Sequence, residues 1–160
     1  MGRLAEAVGV SRQTIYNEVG SKPALAEAMI LDELRRFLDV VESAFAAHPD
    51  DLVAAIREAV RSVLEHARGN ALLHAVVSAT HGTDTELLPL LTTHSGELLQ
   101  TARTVVLKHV RQYAVDVDAD RLDAAVDTVV RVVLSHVMQP SGDPEETADA
   151  IGWIADRVLR

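Results

Sequence analysis

The chain has 160 residues, 48% of them hydrophobic, no cysteine and a formal net charge of −9. That length can bury one sizeable core, or one core with a small appended unit, and the missing cysteines exclude a disulfide framework and thiolate zinc sites. No apolar run reaches the roughly 18 residues of a membrane span and no signal peptide is visible, so a soluble, cytoplasmic protein with no membrane partner is expected. An aromatic content of 3% argues against a single-strand binder that stacks bases on aromatic rings.

In chain order, a short Ala-rich helix over Leu4–Val8 stops at Gly9, which allows the positive φ that ends a helix. Ser11 is a favoured N-cap for a second short helix. Leu4, Ala5, Val8, Val10 and Ile15 are expected to form a small apolar wedge between the two. A three-to-four-residue turn with glycine is the mark of a helix-turn-helix, whose second helix enters the major groove. Ser11, Arg12, Gln13, Thr14, Tyr16 and Asn17, with Lys22 just beyond, are the candidate DNA-binding residues. Arg pairs with guanine, Gln and Asn pair with adenine, and the Thr methyl touches thymine; Tyr16 and Lys22 suit phosphate.

Ser21 then caps, and Pro23 lies in the first turn of a long helix to about Ala47, with Leu34, Phe37, Leu38, Val41 and Phe45 on one stripe. His48-Pro49-Asp50 breaks it, and Asp50 is expected to cap a helix ending at Gly69. That helix carries Leu52, Ala55, Ile56, Ala59, Val60, Val63 and Leu64 on one face. A shorter apolar helix follows over Asn70–Thr80. Thr83-x-x-Glu86 resembles a capping box, and Pro89 predicts a break before a long helix to about Tyr113. Leu98, Ala102, Val105, Val106, His109, Val110 and Tyr113 share its buried face. Asp118 starts a valine-rich helix to about Gln139. Asp143-Pro144-Glu145-Glu146 opens the last helix with a cap, a proline at the first position and acids in the first turn. No strand, repeat or low-complexity tract is found, so the fold class is all-α: a helix-turn-helix segment followed by a helical bundle.

The string GVSRQTIYNEVGSKPAL resembles the end of the DNA-binding domain in the tetracycline-repressor (TetR) family. The family's Gly-Val-Ser turn, Thr-(Leu/Ile)-Tyr recognition core and Ser-Lys helix opening stand here as Gly9-Val10-Ser11, Thr14-Ile15-Tyr16 and Ser21-Lys22. The motif covers about twenty residues, and the all-helical remainder fits. The resemblance implies a ligand-responsive transcriptional regulator, most simply a repressor, that binds a palindromic operator in double-stranded DNA as a homodimer. It also implies residues 1–47 as the DNA-binding region and 48–160 as the effector-binding and dimerisation domain. Family members carry a further helix before this motif, so this chain by itself is expected to bind DNA weakly or not at all. The alternative is a ligand-binding or interaction dimer that has lost DNA binding through N-terminal truncation.

Charge distribution supports a local DNA contact. Arg3, Arg12 and Lys22 outnumber Glu6 and Glu18 in the first 22 residues, so the tip is slightly basic on an acidic body. Two such tips bring about six basic groups to a duplex, which implies a salt slope near −5.

Val126, Val129, Val130, Val133 and Val137 recur at helical spacing, as do Ile151, Ile154, Ala155 and Val158. Such stripes serve a monomer core as readily as a dimer surface. The resemblance favours the second, since the family dimerises through a four-helix bundle of the last two helices. It also implies an effector pocket among the middle helices, expected at Val63, His74, Val77, His94, Leu98, Val105 and His109. There, histidines among apolar neighbours would orient a polar head group, although each also suits an ordinary core or surface position. The wealth of Leu, Val and Ala points to a small lipophilic effector, with Gly20 and the Pro89 region as candidate hinges. No His-x-x-x-His pair, Gly-rich phosphate loop, Gly-x-Ser-x-Gly elbow or cysteine nucleophile marks an enzyme, and neither a metal nor another cofactor is expected.

Overall fold

The fold is built around one helix with alanine on the faces that meet its neighbours. The computed structural model describes residues 2–74 and 95–159, and their regular structure is entirely α-helical. Helices α1 (Gly2–Val8) and α2 (Arg12–Val19) form a tip. They are followed by α3 (Lys22–Ala47), α4 (Leu52–Arg68), α5 (Ser95–Val110), α6 (Ala119–Met138) and α7 (Pro144–Val158). The expected helix over Asn70–Thr80 enters the described residues only at its first turn, where Asn70 Oδ1 accepts from the Leu73 N–H at 3.0 Å. The capping box at Thr83 and the break at Pro89 lie outside the described residues.

The caps follow side-chain chemistry. Ser11, Ser21, Asp118 and Asp143 each accept from a backbone N–H of the turn they open. The cap of α4 is Asp51 rather than the expected Asp50, because the Asp51 N–H closes a turn back onto the His48 carbonyl. Asp51 is therefore the residue with an extended backbone that precedes the helix. Helix α5 ends at Val110, short of Tyr113. Its last turn tightens as Tyr113 N–H bonds to Val110 O at 3.1 Å, yet the ring still packs on the core. The Tyr113 hydroxyl donates to His48 O at 2.7 Å, fastening the end of α5 to the α3–α4 turn.

Helix α4 is the central element. Ala55, Ala59 and Ala67, with Ile56, Val60, Val63 and Leu64, are all buried, and its most extensive contacts are with α7, then α3. From α7 come Ala148, Ile151 and Ala155, and from α6 Leu122, Val126 and Val130. Each fully buried Val, Leu, Ile or Phe stabilises by about 1.5–3 kcal/mol. At Gly152 an added Cβ would lie 3.2 Å from Arg57 Nε, so glycine lets that arginine cross α7 to reach Asp149 Oδ1 at 2.9 Å.

Helix α3 is held unevenly. No residue of it before Val41 is buried, whereas Val41, Ala44 and Phe45 enter the core beside α4. The first tie along its length is polar. Glu33 Oε1 accepts from His66 Nε2 at 2.7 Å and also from Asn70 Nδ2, while the His66 ring stands edge-on to Phe37 at 4.7 Å. Asn70 is the only buried polar residue among the described ones. It also caps the helix that starts at residue 71, so a single side chain joins α3, the end of α4 and the next helix.

The expected wedge at the tip is smaller than its sequence suggests. Ala5 and Ile15 are buried, but Leu4, Val8 and Val10 remain exposed. Two helices of seven and eight residues leave room between them for little more than one inward side chain each.

Candidate nucleic-acid interface and effector cleft

The tip turns α2 outward by two backbone devices. Gly9 and Gly20 flank the helix at φ +71° and +72°, conformations that L side chains rarely adopt. Ser11 fixes the start: its Oγ accepts from the Thr14 N–H at 3.0 Å and lies 2.8 Å from Thr14 Oγ1. Ile15 points in and is buried, so the residues beside it point out. Ser11, Arg12, Gln13, Thr14, Tyr16 and Asn17 are all exposed, as is Lys22 in the first turn of α3. Gln13 Nε2 donates to Asn17 Oδ1 at 3.0 Å, one turn apart, which orients two amide side chains together. The Arg12 guanidinium folds back over α1, where a Cβ on Gly2 would meet its Nη2 at 2.6 Å. A row of donors and acceptors on a helix so anchored has the form that reads base edges and grips phosphates.

Between α3 and α5 lies a cleft of about 220 Å³. Helix α3 lines it with Glu27, Ile30, Leu31 and Leu34, and α5 with Glu97, Leu98 and Thr101. Of the described residues expected to line a pocket, Leu98 alone does so. Val63 is buried in the α4 core, because α4 uses both flanks of its apolar face against α3 and α7. His74 is exposed, and its Nε2 lies 3.0 Å from Arg68 O. Val105 is half-buried away from the cleft. The His109 ring stacks on Phe45 at 5.2 Å, with a buried Nε2 that makes no hydrogen bond and lies 3.7 Å from Glu42 Oε1. Val77 and His94 lie outside the described residues. Among the described residues, the cleft's polar groups are two carboxylates and a hydroxyl. Sequence reasoning missed Glu27, Ile30, Leu31, Glu97 and Thr101, and placed Leu34 on the core stripe, because the cleft is formed by residues of two helices more than 60 positions apart in the chain. Among the described residues, no three His, Asp or Glu side chains gather as a metal site would need.

The expected dimer stripe divides in two. Val126, Val130 and Ile151 are buried inside the protomer, so they are corrected to core residues; Val129, Val133 and Val137 are half-buried against the same core. Ile154 and Val158 are each 47% exposed. Val132, Leu134 and Met138 of α6 and Trp153 of α7 are exposed as well, none of which the spacing argument selected. Trp153 is the most exposed of these, and the Arg157 guanidinium lies 5.8 Å from its ring centre.

A capped, outward-facing second helix at the end of an all-helical body defines a helix-turn-helix transcriptional regulator. Comparison with known proteins names the family. A family model described as bacterial tetracyclin repressor, C-terminal domain, matches residues 51–157. The chain is 32% identical over 150 residues to the HTH-type transcriptional regulator AlkX of Mycobacterium tuberculosis, covering 91% of this chain and 69% of that protein. It superposes on the crystal structure of the TetR family repressor AlkX from a Dietzia species, implicated in biodegradation of n-alkanes, with a TM-score of 0.73 at 26% identity. That match covers 98% of this chain and 83% of the other. The protein belongs to the TetR family of ligand-responsive transcriptional regulators. Among the described residues no helix is long and apolar enough to cross a membrane.

Proposed function

We propose that the chain is a repressor that binds a two-fold operator as a homodimer and is released by a small effector carrying an alkyl chain. In this reading residues 1–47 present the DNA-facing tip and residues 48–160 hold the effector and the partner. The observation that carries it is the exposed row Arg12, Gln13, Thr14, Tyr16 and Asn17 on a helix fixed by Ser11 and Ile15. The outer surface of α6 and α7 supplies the second copy's contact, and two-fold pairing sets the half-sites one helical turn or a multiple apart. The Ile30–Leu31–Leu34–Leu98 cleft supports an apolar effector, and the link of the Dietzia relative to n-alkane degradation favours an alkyl chain. Because the cleft is walled by α3, which runs directly into α2, an effector wedged there displaces the tip. A coupling of about 1–3 kcal/mol between the two sites is typical.

Selection from a random duplex pool with the purified chain, followed by fluorescence anisotropy on the enriched sequence, tests the reading. A palindromic site should emerge. Gln13→Ala should weaken binding to it about tenfold while leaving non-specific binding nearly unchanged. If no sequence is enriched by a dimer that still binds ligand, the chain is instead a ligand-binding dimer without a DNA role.

A further inference from the structure

We propose that Gln13 reads an adenine in the operator half-site and that Asn17 is the positioning residue that holds it for that task. This deepens the operator reading above and rests on it. Several exposed side chains at the start of α2 are already committed elsewhere. The Thr14 hydroxyl lies 2.8 Å from Ser11 Oγ at the cap, and the Arg12 guanidinium lies back over the first turn of α1. Gln13 is the first side chain of α2 left with both a donor and an acceptor to offer. The N-terminal residues of a recognition helix are also the ones that meet base edges.

The two amides share their hydrogen bond unequally. Gln13 Nε2 donates to Asn17 Oδ1 at 3.0 Å. A side-chain amide carries two N–H donors and one carbonyl oxygen, so Gln13 spends one donor and keeps the other together with the whole of Oε1. Adenine presents an N6–H donor and an N7 acceptor in the major groove, and a free amide oxygen beside a free N–H matches both. Asn17, by contrast, turns its oxygen toward Gln13 and stands one turn further along α2. What Asn17 supplies is orientation. An exposed glutamine has several freely turning side-chain bonds, and an acceptor one turn away restricts them before DNA arrives rather than during binding.

The duplex enriched from the random pool serves as the probe, and fluorescence anisotropy with each base pair in turn along one half-site gives the readout. The full chain should prefer adenine about tenfold at one position. Gln13→Ala should abolish that preference, and Asn17→Ala should cut it to about threefold while disturbing no other position. Asn17→Asp keeps an acceptor for Gln13 Nε2 but adds a negative charge. It should therefore bind every duplex about threefold more weakly and still retain the tenfold preference. In the Gln13→Ala background, Asn17→Ala should change the base preference no further. Asn17→Ala weakening all duplexes alike with the preference intact, or aspartate failing to keep the preference, overturns the positioning role. Loss of preference at a second position in Asn17→Ala makes Asn17 a reader itself and overturns it too. An adenine preference that survives Gln13→Ala removes Gln13 as the reader. In each of these cases an enriched sequence still exists, so the operator reading stands; if the full chain enriches no sequence, both fall.

Discussion

Replacing Asn70 by alanine removes two different interactions at once, and the structure lets their sizes be set separately. The side chain donates to the Glu33 carboxylate and accepts from the Leu73 N–H at 3.0 Å. A hydrogen bond to a charged group contributes about 1.5–3 kcal/mol, and a lost N-cap costs about 1 kcal/mol. Asn70 is only 9% exposed, so water does not readily take its place. Glu33 keeps His66 as a partner at 2.7 Å, which limits the damage on its side. The expected loss for Asn70→Ala is about 3 kcal/mol. With a urea slope of about 1.5–2 kcal/mol/M, the unfolding midpoint should fall by about 1.5–2 M. Asn70→Asp separates the two parts: aspartate still caps the helix but sets a second carboxylate against Glu33, so it should remain strongly destabilising. A double-mutant cycle of Asn70→Ala with Glu33→Ala should return a coupling of about 1–2 kcal/mol. A loss under about 1 kcal/mol with no coupling would refute the joint and leave α3 held by its apolar end alone.

Three further outcomes follow from the geometry. The Arg61 guanidinium grips Glu58 through two hydrogen bonds, at 2.6 and 3.2 Å, and holds its carboxyl below the usual value. A depressed carboxyl stabilises above its unfolded value of 4.5 and loses that contribution as pH falls through the folded one. With the pair about one-third exposed, Glu58→Gln should cost about 0.5–1 kcal/mol at pH 7, a gap that narrows in unfolding curves as the pH falls below the unfolded value. Burial, with Asp50 and Asp51 nearby, raises the Tyr113 phenol, so its ionisation destabilises the fold as pH climbs past the ordinary tyrosine value of 10. Tyr113→Phe should cost about 1–2 kcal/mol at neutral pH, through loss of the His48 clamp, and should flatten the alkaline fall in melting temperature. Ile154→Glu should shift sedimentation from dimer to monomer while barely moving the monomer's helicity, because Ile154 is already half exposed within one protomer; an unchanged dimer would place the partner surface elsewhere.

Local chemistry was readable from the residues, and contacts between distant helices were not. The caps at Ser11, Ser21, Asp118 and Asp143, the positive φ of Gly9 and the helix bounds at Ala47 and Gly69 each depend on a few adjacent residues. Partitioning of helix faces does not. Valine stands on every side of α6, so spacing cannot say whether Val126 or Val132 meets the core, and the packing of α4 decides it. The stripe on α3 misled in the same way: Leu34 has the periodicity of a core residue but lies on the cleft, since the helix leaves its packed neighbours before reaching it. The histidines drew attention as the rarer polar groups in apolar company. The acids Glu27 and Glu97 looked like ordinary surface residues until α3 and α5 were brought together.

The two glycines with positive φ have a bearing on how such a reader diversifies. They confine the demanding backbone geometry to positions 9 and 20, leaving the eight helical residues of α2 between them free of any conformational requirement beyond the helix itself and one inward isoleucine. Five of those side chains can change without disturbing the joints or the body. Binding preference can therefore be rewritten as a cassette, while the response to small molecules, built from helices far along the chain, is kept intact.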